Sequence, residues 1–161
     1  MLTIPRVLVA VLVLSIAVIA SALLFEHVGG YLPCELCLAE RWPYYIAISG
    51  TAIVLVAGGR GATPWLLLLA LLFLVSAGMG AYHVGVEQHW IAGPTACTGG
   101  GASGAKTPEE LMKYLQNRQA VQCDEVSWSL FGISLAGWNV VTSLILFALS
   151  AAGWRLRDRA A

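Results

Sequence analysis

Cys34 and Cys37 stand three residues apart in the stretch Pro33-Cys34-Glu35-Leu36-Cys37-Leu38-Ala39-Glu40-Arg41-Trp42, where an apolar chain interrupts itself. Two thiols at that spacing can close on each other or hold a metal. On a helix Cys34, Cys37 and Arg41 share a face, because positions three and four apart are neighbours there. Arg41 could then stabilise a thiolate at Cys37, since a nearby cation and a helix N-terminus both lower a thiol pKa and produce the reactive form. Pro33 suits a helix start just before the pair. Pro43 costs a backbone hydrogen bond beyond the first turn, which predicts a break or a second start near Arg41.

The other cysteines are Cys97 and Cys123. A four-cysteine zinc site uses two close pairs, and only one pair here is close, so no metal is expected. An oxidising compartment outside the membrane favours disulfides instead. In a structural reading, a bond between Cys97 and Cys123 staples a long loop and contributes on the order of 3 kcal/mol through loop closure. That reading explains Cys34 and Cys37 poorly, because so short a ring constrains little unfolded chain and is the form that redox motifs take.

These residues must be positioned by an unusual chain. Of its 161 residues 58% are hydrophobic and 11% charged, and the mean hydropathy is +0.77, far from the mix of a soluble domain. The sequence reads as a single integral membrane domain over residues 1–161. A formal charge of zero and the lack of a basic run argue against nucleic acid as a partner. Apolar runs at about residues 7–25, 44–57, 65–82 and 133–152 each approach the roughly 20 residues that cross a bilayer. They predict an all-α antiparallel four-helix bundle, with outer loops at about 26–43 and 83–132.

Arg6, Arg60, Arg155, Arg157 and Arg159 fall on one side in short segments, which makes that side cytoplasmic and places both termini there. Arg41, Lys106, Lys113 and Arg118 lie opposite, as do all four cysteines. Arg6, the apolar run and Ala20-Ser21-Ala22 resemble a cleavable signal, but the run is too long for a signal core and leads straight to the cysteine pair. Trp42, Tyr44 and Tyr45 suit an interfacial aromatic belt. Ser76, Gly78 and Gly80 permit close helix approach, and Asn139 suits a bond to another helix. Thr107-Pro108-Glu109-Glu110 is a capping signal for a small amphipathic helix over about 108–118, lying on the membrane or on protein.

Taken together, Pro-Cys-x-x-Cys-x-x-x-Arg after a first span, four spans, and two more cysteines in the loop before the last span resemble the disulfide bond formation protein B (DsbB) family. Tyr82-His83-Val84-Gly85-Val86-Glu87 and the stretch from Cys123-Asp124-Glu125-Val126 to Trp128-Ser129-Leu130-Phe131-Gly132 resemble it too. The resemblance implies a bacterial inner-membrane, quinone-dependent oxidase that reoxidises a periplasmic thioredoxin-like partner, DsbA, with ubiquinone or menaquinone as cofactor. That system is the established case of a periplasm kept oxidising by electron transfer to quinone, and its partner's potential is near about −120 mV. By position, Cys97 would receive the partner's thiolate, Cys123 would be its disulfide mate and exchange with Cys34, and Cys37 would meet the quinone beside Arg41. Glu26, His27, His83, Glu87 and His89 gather at the outer ends of the first and third spans, and His83 is the candidate for a quinone or proton role. The rival readings are a quinone–thiol enzyme similar to the vitamin K epoxide reductase family, and a non-catalytic protein stapled by disulfides.

Overall fold

The computed structural model describes residues 3–94, 107–109, 112 and 122–156. Its elements are α1 (Ile4–His27), α2 (Glu35–Val56), α3 (Ala62–Glu87), a hairpin of β1 (Ser129–Leu130) and β2 (Ile133–Ser134), and α4 (Leu135–Arg155). Cys97, Lys106, Lys113, Arg118, Arg157, Arg159 and most of the amphipathic helix expected over 108–118 lie outside the described residues. Of that segment Pro108, Glu109 and Met112 are described, and they are helical.

Each helix packs against its neighbours in sequence, and α1 packs against α4 to close the bundle, with the most extensive contact between α3 and α4. At one end a Cβ added to Gly153 of α4 would sit 2.8 Å from Val7 of α1 and 3.2 Å from Leu66 of α3. At the other, Glu26 of α1 meets Arg41 of α2, and Glu40 of α2 meets His83 of α3 and Asn139 of α4. Successive helices are therefore antiparallel. Val7, Leu8, Val11, Leu66, Leu69, Phe73 and Leu146 fill the core. Other large apolar side chains face outward from every helix, among them Val13, Ile53, Val75 and Ile145. An apolar exterior is what a lipid solvent requires, and α1, α3 and α4 are each long and apolar enough to cross one. The protein is an all-helical, multi-pass membrane bundle.

α2 departs from expectation. It runs unbroken from Glu35 through Pro43 to Val56, so the apolar stretch beginning near Tyr44 continues a helix that starts beside the cysteines. Proline removes only the bond its own N–H would donate, a loss that membrane helices tolerate where neighbouring helices surround the site, and Pro43 is buried. Tyr44 is also misplaced by the belt reading. It is 1% exposed and points into the bundle, whereas Trp42 and Tyr45 face out. α3 likewise extends one turn past the expected exit at Tyr82-His83, carrying His83 and Glu87 on a helix rather than in a loop.

Of the two glycines expected to let helices approach, Gly80 does so. A Cβ there would lie 2.9 Å from Val140 and 3.1 Å from Asn139, both on α4, whereas Gly78 has nothing nearby. Ser76 bonds Ser143 across the same contact at 2.9 Å. The chain turns into α4 through Phe131 and Gly132, both at positive φ as a tight two-residue hairpin demands. Ser134 then caps α4 by accepting from the Gly137 N–H and donates its own hydroxyl proton to Glu87.

Candidate active site

Cys34 is the N-cap of α2, and its sulfur accepts the Cys37 N–H at 3.1 Å. That cap brings the two sulfurs to 2.6 Å, so the pair closes to a disulfide of about 2.05 Å with a small shift. The pair lies at the N-cap and first turn of α2, ahead of the apolar run over about 44–57. The hydrogen bond shared with Cys37, with burial adding to it, pushes the Cys34 thiol far above the ordinary thiol range. The same bond brings Cys37 down to about 7 against the opposing effect of burial, part of which the attraction of His83 offsets. Cys37 is thus the thiolate of the pair and Cys34 the proton-bearing thiol.

Arg41 does not act as expected on Cys37. Its Nη1 donates to Glu26 Oε2 at 2.6 Å, and the electrostatic support for the Cys37 thiolate comes from His83. Arg41 nevertheless lines the same groove as Cys37, a cavity of about 430 Å³ between α1, α2 and α4. Its walls are mostly apolar, with Leu14, Val18 and Phe25 on one side, while Glu40, Tyr44 and Asn139 supply polar atoms on the other.

His83 is 3% exposed and bridges two groups. Its Nε2 lies 3.6 Å from Cys34 Sγ and its Nδ1 lies 2.9 Å from Glu40 Oε1. The other Glu40 oxygen accepts from Asn139 Nδ2 at 2.9 Å, and Asn139 Oδ1 accepts from the Tyr44 hydroxyl at 2.7 Å. A continuous polar chain thus leads from the sulfurs to the middle of the bundle. Glu40 and Tyr44 are the residues that sequence reasoning missed, although Glu40 follows Cys37 by three and shares its helix face. An acidic side chain within a membrane helix is itself a functional signal. Of the other polar residues expected to gather here, Glu26 and Glu87 are paired with Arg41 and Ser134, and His27 and His89 are exposed.

Cys123 is 1% exposed and clusters with Cys34 and Val86, with Leu36, Cys37 and Tyr82 packed against them, and of the three thiols only Cys37 lines the groove. No disulfide joins Cys34, Cys37 and Cys123 to one another. Cys34 thus has a third thiol on one flank, and Cys37 an apolar groove on the other.

A dithiol at the end of a membrane bundle, with a third buried thiol against it, defines a membrane protein of thiol–disulfide chemistry. Residues 5–153 match the family model described as Disulfide bond formation protein DsbB, and the chain belongs to that family. It is 32% identical to Disulfide bond formation protein B of Verminephrobacter eiseniae over 166 aligned positions, covering 96% of this chain and 91% of the relative. It is 28% identical to the protein of that name from Acidovorax sp., covering 89% and 83%. No solved structure matches the chain.

Proposed function

We propose that this chain is a quinone-dependent protein disulfide oxidase of the bacterial inner membrane, which reoxidises a DsbA-like periplasmic dithiol protein. In this reading both termini are cytoplasmic and the cysteines face the periplasm. The observation that carries it is the two-sided setting of the pair, with Cys34 against Cys123 and Cys37 opening on an apolar groove.

The thiol steps balance as two-electron exchanges. A partner thiolate attacks Cys97 of a Cys97–Cys123 disulfide, Cys123 leaves as thiolate, and the partner's second thiol displaces Cys97, so the partner departs oxidised. Cys123 then attacks Cys34 of a Cys34–Cys37 disulfide. Cys37 leaves, and its lowered pKa makes it the better leaving sulfur. Cys97 next displaces Cys34 from Cys123, which restores the loop disulfide and leaves Cys34 and Cys37 reduced. The groove fits a quinone: its apolar walls suit the ring and tail, and Arg41 and Asn139 keep further N–H groups that can donate to ring oxygens. When bound there, ubiquinone or menaquinone supplies the two-electron, two-proton sink for reclosing Cys34 and Cys37. His83 in its neutral form receives the Cys34 proton at Nε2, and Glu40 balances the positive charge that then favours the Cys37 thiolate.

The test mixes purified protein in detergent with quinone and a reduced thioredoxin-like partner and follows quinone absorbance. Oxidised quinone is expected to disappear rapidly, and Cys37→Ser is expected to lose this by at least about a thousandfold, as removal of an essential nucleophile does. No loss of quinone with either ubiquinone or menaquinone, or equal loss in Cys37→Ser, would leave a disulfide-stapled structural protein as the better account.

A further inference from the structure

The cysteine spacing alone argued against a metal, because only one pair of sulfurs is close in sequence. Folding adds a third donor. Cys34 Sγ, Cys37 Sγ and His83 Nε2 all lie within 4.8 Å of one another. We propose that the reduced Cys34–Cys37 pair and His83 form a site for a thiophilic divalent ion of the Zn²⁺ class, whose binding holds the pair out of the disulfide.

The donor set is right for that class of ion, since two thiolates and an imidazole are the ligands Zn²⁺ takes and hard cations avoid. The geometry is nearly prepared. With bonds of about 2.3 Å to sulfur and about 2.0 Å to nitrogen, tetrahedral ligands stand about 3.5 Å apart for a sulfur–nitrogen pair and about 3.8 Å for two sulfurs. Cys34 Sγ and His83 Nε2 already stand at 3.6 Å, the sulfurs must part from 2.6 Å, and Cys37 Sγ must settle at the same sulfur–nitrogen spacing from a position within 4.8 Å of Nε2. Cys37, on the groove side, has room to do so.

The surroundings of the histidine strengthen the case. Metal-bound imidazoles commonly donate their remote N–H to a carboxylate, which fixes the ring and the tautomer. Glu40 stands in that place, 2.9 Å from His83 Nδ1, and is itself held by Asn139. The same contact leaves the Nε2 lone pair facing the sulfurs. The fourth position falls to water.

Binding releases the Cys34 proton, together with that of whatever fraction of Cys37 is still protonated, and moves no electrons. A disulfide offers no thiolate, so metal and disulfide exclude each other. The site needs neither quinone nor partner and therefore stands apart from the oxidase reading. If that reading also holds, Zn²⁺ halts turnover at the reduced pair.

The test uses the full chain in detergent with Cys97→Ala and Cys123→Ala, reduced and freed of reductant, and titrated with Co²⁺ followed by displacement with Zn²⁺. One Co²⁺ per chain, with the visible bands of a tetrahedral thiolate site, is expected in the reduced protein and none after oxidation to the disulfide. Glu40→Gln, which keeps the side-chain shape, is expected to weaken Zn²⁺ about 10–100-fold. X-ray absorption of the Zn²⁺-loaded protein, with its histidine intact, is expected to read two sulfurs and an imidazole. Sulfur and oxygen ligands alone, equal Co²⁺ uptake by the oxidised chain, or no tetrahedral Co²⁺ in the reduced one would each overturn the site.

Discussion

A thiol that also caps a helix is not chemically equal to its neighbour. Cys34 accepts the Cys37 N–H and shares a proton with its sulfur, so the two side chains divide the acidity of the pair between them. The consequence is measurable. In reduced protein lacking Cys97 and Cys123, alkylation of Cys37 is expected to rise with pH through a midpoint near 7, against about 8.5 for an ordinary thiol. The sign follows from the thiolate being the reactive form: below the midpoint Cys37 is protonated and slow, above it fast. Since His83 adds to the depression, His83→Ala is expected to move the midpoint upward. A midpoint near 8.5 in the unsubstituted histidine protein would remove the asymmetry. The cysteine pair was legible because its two members lie three apart. The origin of the asymmetry was not, because His83 is 46 positions beyond Cys37 and reaches it only through the packing of α3 on α2. Arg41 drew the eye by proximity, yet Glu26 holds its guanidinium.

Helices in lipid gain little from burying apolar surface against one another, so close backbone approach and bonds between side chains must hold them. The α3–α4 contact uses both devices within one turn: Gly80 against Val140 and Asn139, and Ser76 bonded to Ser143. Gly80→Ala places a methyl 2.9 Å from Val140 and is expected to destabilise the bundle by about 1–3 kcal/mol, as overpacking does. Gly78→Ala meets open space and is expected to be neutral or stabilising by up to about 1 kcal/mol. Unfolding in mixed detergent with increasing denaturing fraction separates the two. Equal behaviour would mean that the contact is looser than its geometry. Hydropathy located the first, third and fourth spans to within five residues of their helix ends. It could not tell which small residue faced which helix, because Ser76, Gly78 and Gly80 are equally apolar-compatible. Hydropathy also cut α2 short: the window falls where Glu40, Arg41 and Pro43 enter, although these residues stay helical and the two charges pair with groups on other helices.

Among the described residues, the cysteine chemistry gathers at one end of the bundle and every arginine except Arg41 at the other. Cys34, Cys37, Glu40, His83 and Cys123 lie where α1 ends and α2 begins, whereas Arg6, Arg60 and Arg155 mark the end where Val7, Leu66 and Gly153 meet. In a bilayer this polarity becomes an address, because Arg and Lys in short loops are retained on the cytoplasmic side. The bundle is then expected to hold its thiols outside. Single cysteines placed at Gly30, in the loop after α1, and at Gly59, in the turn between α2 and α3, test this in intact cells when the native cysteines are removed. A membrane-impermeant maleimide is expected to label Gly30→Cys directly and Gly59→Cys only after permeabilisation. Both glycines adopt positive φ with no neighbour against an added Cβ, so each substitution costs local backbone strain without disturbing packing. The reverse pattern would put the thiols in a reducing compartment, where glutathione would keep Cys34 and Cys37 open and no oxidase cycle could run. The metal site would survive that outcome and would become the better account of why these three donors converge.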